Sequence, residues 1–406
     1  MKRNFNDFIT AYLEYVAETE SPLNYKKWVA LSVISASLQK KCHFNLGRIR
    51  IFGNTFVVLV GPPGARKSAA ISFGKDLIES VGVVNTSSDS ISREALLMEL
   101  EASKDIAILD KGPSFTHSSL LVCASEFESF LGQKQENRKM TVTLIDLYDC
   151  PQKDWTYKTK NKGENVIPSV YLSILAATTP DSIASSITPG DSGSGFTARI
   201  LFIHATGRMK DVPFPENDKF VVQRRLDLID DLRIITQLNG EFKFLPETKE
   251  FWKENYSDYC GAGPKPLCDH PLFVEWYDRK PIFIIKLAML ISASESNDMI
   301  IRINHILRAI EYIEENEKTM GEAFRSVGMS EVASETELIF KIIRMNKKIT
   351  EKELRRLTWR DLDDKKFYNV INTAKATGII GISCFRPITY IWIGENNDRL
   401  VKSKEF

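Results

Sequence analysis

Apolar positions change their period along the chain. Phe5, Phe8, Ile9, Tyr12, Leu13 and Val16 recur at helical spacing, and Trp28 to Leu38 forms a second apolar stretch after Pro22. His43–Phe52 alternates around Gly47, which predicts a hairpin. From Thr55 to about Gly207 short apolar runs (TFVVLV, DIAILD, SLLVCA, YLSILAA and RILFIHA) alternate with polar or amphipathic segments. Runs that are apolar throughout suit strands buried on both faces, so this stretch predicts an α/β core with a mainly parallel sheet. Beyond Asp211–Pro215 the pattern is mainly helical, most clearly over Phe283 to Ala293 and Ile303 to Ile313. Near the C-terminus Glu337–Met345 is amphipathic, Thr350 and Glu353 have capping-box spacing, and Lys365–Lys375 gives a third helix. Two β-rich runs follow, Ile379–Cys384 and Ile388–Ile393, and three helices with a terminal hairpin are the order of a winged helix. The predicted division is an N-terminal helical segment (1–50), an α/β core (51–210), a mainly helical region (211–333) and a winged-helix domain (334–406).

Composition narrows the class. With 43% hydrophobic and 26% charged residues, the 406-residue chain has ordinary globular composition. Lys and Arg total 54 against 53 Asp and Glu, a net charge of +1, which excludes a uniformly basic nucleic-acid coat and confines any nucleic-acid contact to a local patch. Six cysteines lie without CxxC spacing, and Cys260, Cys268 and His270 lack a fourth ligand, so neither a disulfide scaffold nor a zinc site is expected. The longest apolar stretches, Thr55–Val60 and Ile282–Ile291 (broken by Lys286), fall short of the ~18 residues that span a bilayer, and MKRNFNDF lacks a signal-peptide core. A cytoplasmic protein with no membrane partner is expected.

The sharpest motif is Gly61-Pro62-Pro63-Gly64-Ala65-Arg66-Lys67-Ser68, which follows the run TFVVLV and precedes a predicted helix from Ala69 to Glu79. Strand, glycine-rich turn and helix start are the setting of a P-loop, where backbone N–H groups and a helix N-terminus cradle phosphates. Gly61 through Ala69 would hold ATP, with Lys67 on the β- and γ-phosphates and Ser68 on Mg²⁺. Arg66 departs from the consensus GxxxxGK[ST], which has glycine there. The plainer alternative is an ordinary Pro/Gly turn.

A P-loop needs an acidic partner at the end of another buried strand, and Leu120–Ala124 followed by Ser125-Glu126-Phe127-Glu128 fits. Glu126 would orient the attacking water, while Ser125 stands where an Asp usually holds Mg²⁺ through water. A serine brings a hydroxyl but no charge, so weaker Mg²⁺ binding, or help from Glu126 or Glu128, follows. Acids at a solvated helix start are the alternative.

Two further segments carry a resemblance. Tyr171–Pro180 is a buried strand ending Ala-Ala-Thr-Thr-Pro, and Gly195-Phe-Thr-Ala-Arg199 enters the run Ile200–His204. With GPPGARKS and SEFE, these resemble in order and character the AAA+ ATPase core, in detail that of minichromosome-maintenance (MCM) helicases. Trp276-Tyr277-Asp278-Arg279-Lys280 followed by LAML is similar to uncharacterised phage and prophage replication ATPases. The motif-level likeness covers about residues 55–320. It implies an α/β AAA+ fold with helical lid and winged helix. Thr179 would be the sensor-1 group, Arg199 an arginine finger reaching a neighbouring subunit, and Arg279 or Lys280 a sensor 2 from the lid. A finger acting between subunits implies a homo-oligomeric ring, by analogy a hexamer. For Arg199 the alternative is a charge opening a strand, and for Arg279 a structural ion pair.

Between the acidic motif and the sensor strand lies Lys153–Pro168, where Tyr157 and Thr159 alternate with Lys158 and Lys160 before Asn161-Lys162-Gly163. Four Lys against one Asp over 153–162 make this a hairpin with a basic tip. The resemblance places a channel-facing hairpin in this interval, so Lys158, Lys160 and Lys162 are candidates for the backbone of single-stranded or forked DNA. A solvated lysine loop is the alternative. The winged-helix segment carries Lys347, Lys348, Lys352, Arg355, Arg356, Arg360, Lys365 and Lys366, interrupted by Asp361, Asp363 and Asp364, and suits either DNA or a protein partner. The resemblance implies an ATP-driven DNA helicase for replication of a phage or mobile element. A loader or assembly factor that switches on ATP without unwinding is the competing reading, with Ser125 as its support.

Overall fold

The computed structural model describes residues 2–87, 91–108, 114–132, 135–159, 163–186, 195–215, 218–259, 266–268, 273–324, 331–359, 362–376, 378–383 and 387–393. Two helices open the chain, α1 (Phe8–Tyr15) and α2 (Leu23–Leu38). A hairpin follows, β1 (Cys42–Leu46) and β2 (Ile49–Phe52), turning at Gly47 with φ +62°. Next come β3 (Phe56–Val60), α3 (Lys67–Val81), β4 (Asn85–Thr86), α4 (Arg93–Ala102), β5 (Lys104–Ala107) and β6 (Phe115–Ala124). After α5 (Phe127–Leu131) and α6 (Gln135–Tyr148), β7 (Trp155–Thr159) and β8 (Gly163–Ile167) form an antiparallel hairpin. β9 (Val170–Thr178), α7 (Pro180–Ser186) and β10 (Ile200–His204) complete the central region.

The central sheet runs β10-β3-β9-β6-β4, parallel throughout, with β5 added antiparallel to the first half of β6. β3, β9 and nearly all of β6 are buried, as strands covered on both faces must be. The connection from β9 to β10 passes over β3, so β3 is flanked by two strands that come much later in the chain. All five parallel strands put their carboxyl ends along one edge. Ligands of open α/β sheets bind along that kind of edge.

The fold is therefore mixed α/β on a parallel sheet, and its segments are more entangled than the predicted division at 50 and 210. α2 is apolar all round and buried along nearly its whole length, as such a helix has to be. It lies so close to α3 that a Cβ on Gly74 would stand 2.5 Å from Val29 Cγ1. The helix Val274–Glu295 is likewise buried from Phe283 to Ser294, and Trp276 Nε1 donates to the Ile200 carbonyl of β10. Phe324 packs edge-on against Phe202 at 4.7 Å. The expected lid thus shares the core of the sheet it was expected to move against. β11 (Gly240–Phe244) and β12 (Ile300–Ile301), absent from the sequence expectation, extend the β1–β2 hairpin into a second sheet of order β12-β11-β1-β2.

The chain divides into two compact units, Met1–Val327 and Gly328–Phe406. In the second, the helices Glu331–Asn346, Glu351–Thr358 and Asp364–Ala376 accompany β13 (Lys348–Thr350), β14 (Ile380–Ser383) and β15 (Thr389–Trp392). The three strands pair antiparallel in the order β13-β15-β14 over a core that includes Ile339, Leu354, Phe367, Val370 and Tyr390. Thr350 and Glu353 form the predicted capping box.

Candidate active site

β3 ends at Val60, and the chain turns through Gly61–Arg66 into α3. Only glycine fits at 61, because a Cβ would lie 2.4 Å from Tyr25 Oη and 2.8 Å from the Ala205 carbonyl oxygen. At Gly64 the reason is conformational: φ is +82° and the space beside it is open. Arg66, where the consensus has glycine, adopts the same left-handed region at φ +60°. That conformation costs a non-glycine residue roughly 1–2 kcal/mol. Two contacts from the N-terminal segment hold it: Arg66 Nε donates to Glu20 Oε2 at 2.5 Å, and the Ser21 hydroxyl donates to the Arg66 carbonyl at 3.0 Å.

Pro62 is half-buried, Pro63 exposed and Ala65 buried, with Ala65 N donating to the Pro62 carbonyl. Ser68 and Ala69 are exposed in the first turn of α3, where helical N–H groups have no partner within the helix. The Lys67 ammonium donates to the carbonyls of Gly61 at 2.6 Å and Pro62 at 2.9 Å, and partial burial lowers its pKa.

A cleft of about 290 Å³ opens beside Lys67, walled by Ser125, Glu126, Glu128, Thr178, Thr179 and Ser182. Strand register explains the meeting. Val60 is level with Thr178 and Ala124 with Ala176, so the residues that follow β3, β9 and β6 emerge side by side at the carboxyl edge. Glu126 is exposed at the start of α5, and its Oε2 accepts from the Ser129 hydroxyl at 3.1 Å. Thr179 caps α7: its Oγ1 accepts from Ser182 N at 3.2 Å and donates to Ser182 Oγ at 3.1 Å. Lys67, Ser125, Glu126 and Thr179, separated by up to 112 positions in the chain, share one cleft. Thr178 and Ser182 were not anticipated there. Thr-Pro at a helix start is a cap signature that marks both the end of β9 and the commitment of the Thr179 hydroxyl.

Among the described residues no group of three or more His, Cys, Asp or Glu could hold a metal by itself. Mg²⁺ is usually held by one or two carboxylates together with substrate phosphates and water. The oxygen donors near Lys67, namely Ser68, Ser125, Glu126 and Glu128, are of that kind.

Arg199 and Arg279 lie elsewhere. Ile200 is level with Phe56, so Arg199 sits at the amino edge of the sheet, roughly 20 Å of strand length from Gly61. Its side chain is only 9% exposed, pairing with Asp149 Oδ2 at 2.9 Å and donating to the Gly195 carbonyl at 2.8 Å. Arg279 approaches the other oxygen of Asp149 at 3.7 Å. Lys280 makes a buried ion pair with Glu317. Asp149, unremarked in the sequence, is what gathers the two arginines. Nearby, Lys286 Nζ donates to the Asn54 carbonyl and Oδ1, and Lys40 Nζ donates to the carbonyls of Cys150, Pro151 and Val170.

The basic hairpin exists as β7 and β8, with Trp155 packed against Tyr157 at 5.6 Å. Lys158 belongs to β7; Lys160 and Lys162 lie outside the described residues, as do Cys260 and His270. Cys42, Cys123, Cys150 and Cys268 are buried. No described helix is long and apolar enough to cross a membrane. In the second unit Arg355 pairs with Glu351 and Asp364, which neutralises part of the basic patch.

No known protein-family model matches the chain, and no curated protein matches it.

Proposed function

We propose that the chain is an AAA+-type ATPase, similar to MCM helicases, that forms a homo-oligomeric ring and moves along DNA, with its second unit acting as a winged helix. The observation that carries this is the cleft in which Lys67, Ser125, Glu126 and Thr179 meet from three adjacent parallel strands. In this reading Gly61–Ala69 cradle the phosphates of ATP and Lys67 leaves the Gly61 and Pro62 carbonyls for the β- and γ-phosphates. Glu126, held by Ser129, accepts a proton from the attacking water, and Thr179 and Ser182 orient it. Mg²⁺, held by Ser68 and through water by Ser125 and Glu126, would neutralise phosphate charge. Arg199 and Arg279 stand too far from their own P-loop to serve it, so their reading here is as a pair offered to a neighbour's nucleotide. The β7–β8 hairpin follows a strand in the channel.

One observation favours the second reading, an ATP switch that loads or assembles other proteins. Arg199 is buried against Asp149 rather than presented at a surface. Both readings meet one experiment: hydrolysis by the wild type, Lys67→Ala, Arg199→Ala and an equal mixture of the two variants, with and without single-stranded DNA. A ring motor hydrolyses ATP faster with DNA, and the mixture regains activity that neither variant has alone. ATP binding without DNA stimulation, and a mixture as inactive as its parts, supports the switch and overturns the motor.

A further inference from the structure

A second cavity, about 420 Å³, opens at the amino edge of the central sheet, on the side away from the P-loop. Lys40, Lys41, His43, Arg50, Phe52 and Phe115 form the part of its wall that carries chemistry. The β1–β2 register brings them together. His43 is level with Phe52 and Asn45 with Arg50, so His43 on one side and Arg50 and Phe52 on the other share a face, and Lys41 joins them from the turn before β1. Phe115 comes from the first residue of β6. The size falls within the ~300–1,000 Å³ of small-ligand sites.

Among the described residues every ionisable side chain on this wall is basic, and none is a carboxylate. Lys40 is a fixed charge: its ammonium is spent on three backbone carbonyls and lies 3.9 Å from the centre of the Phe52 ring. Burial brings its pKa down to about 8, which still leaves it protonated at neutral pH. Lys41 gives one hydrogen bond to the Thr236 carbonyl. The Arg50 side chain is exposed and makes no hydrogen bond or ion pair among the described residues. His43 has its pKa lowered by burial, with Arg50 and Lys40 adding to the effect and Glu241, its neighbour on β11, opposing it. A concave wall of one sign of charge is unfavourable alone and is relieved by an anion.

The half-buried ring of Phe115 decides which anion, since Phe52 is already buried beneath the Lys40 ammonium. A bare oxyanion would use the cations and leave Phe115 idle, and a carboxylated hydrocarbon would need a wholly apolar depth. A flat ring joined to a phosphate uses both halves, by stacking and by charge-assisted hydrogen bonds. We propose that this cavity binds a nucleotidyl phosphate, with its base against Phe115 and its phosphate among Arg50, Lys41 and His43. The ligand is either a free mononucleotide or one nucleotide of a single strand. The strand source rests on the DNA-motor reading above; the free-nucleotide source does not.

The test uses the full chain carrying Lys67→Ala, so that the P-loop contributes no phosphate affinity. The His43 ring is titrated by NMR alone and with thymidine monophosphate, inorganic phosphate or a thymidine decamer, and binding of fluorescent decamer is followed by anisotropy at low salt. An anion beside His43 favours the imidazolium, so its pKa rises on binding. Arg50→Glu weakens binding at least ~tenfold, whereas Arg48→Glu, the same charge change in the exposed turn between β1 and β2, alters it less than ~twofold. A shift with thymidine monophosphate assigns the free nucleotide, and a shift with the decamer alone assigns the strand. An unmoved His43 with both overturns the proposal, as does inorganic phosphate shifting it equally or Arg48→Glu matching Arg50→Glu. ATP hydrolysis by the wild type is untouched by any of these outcomes.

Discussion

At the carboxyl edge of the central sheet, Ser68, Ser125 and Glu126 are exposed, and among the described residues the Lys67 ammonium is held only by two carbonyls of its own loop. At the amino edge, Lys40, Lys286 and Arg199 are buried, and each is tied to two or more fixed oxygens. Both edges carry charge, yet the first has side chains free to change partners, whereas these three cations of the second are already committed. Chemistry needs the former, because a group that must grip a phosphate or a proton has to have capacity left. The committed cations organise the backbone instead, closing carbonyls that would otherwise be buried without partners.

The largest effect that sharpens this contrast is expected at Glu126. Glu126→Gln keeps the shape and the contact with Ser129 but removes the carboxylate proposed as the base. Hydrolysis should fall about 10²–10⁴-fold with nucleotide binding retained. Stability should stay within about 0.5 kcal/mol, as for other exposed sites. Phosphate release and a urea melt measure the two. A variant that hydrolyses ATP normally would remove Glu126 from the mechanism and leave Glu128 to be tested.

How much of this contrast the chain announces depends on how local each feature is. Gly61–Ser68 and Glu126 are legible because each directly follows an apolar run, and a strand end followed by a helix start is a short-range pattern. The burial of α2 is legible too, since no side of Trp28–Leu38 is polar, but what covers it is not. Asp149 gives no signal: it is one acid at a helix end, and its partners lie 50 and 130 positions away. β11 and β12, five and two residues long, are strands only because β1 offers an edge to pair with. The same non-local cause puts Arg279 beside Asp149, where the sequence allowed either a sensor or an ion pair.

A smaller effect belongs to the amino edge. Lys286 is wholly buried, and burial outweighs the pull of Cys150 and Asp149 to bring its pKa down to about 8. Below that pH the folded and unfolded chains both hold the proton and the cost of burying the charge is present in full. Between about pH 8 and the ordinary lysine value near 10.4, the unfolded chain holds more protons, so this group's contribution to stability rises with pH. Urea melts of wild type and Lys286→Met at about pH 7 and 9 isolate it. The wild type should gain about 1 kcal/mol on the variant over that interval. An unchanged difference would mean that Lys286 keeps its proton and that the committed edge tolerates full charge.

The smallest effect tests whether the carboxyl edge is as free as it looks. Arg66 holds a left-handed backbone where glycine would be at ease, and it is fastened to the N-terminal segment through Glu20. Arg66→Gly relieves about 1 kcal/mol of backbone strain but gives up the contact to Glu20 and adds unfolded-state entropy. These terms oppose each other, so the melting temperature should move by no more than a few degrees. The loop itself should loosen, because Ser21 is then left as its tie to the N-terminal segment. Hydrogen exchange over residues 61–69 reads that directly, with faster exchange expected in Arg66→Gly and in Glu20→Gln alike. If neither variant exchanges faster, the loop holds its shape through Ser21, Gly61 and Tyr25, and the arginine is a tolerated departure from the consensus rather than a clasp.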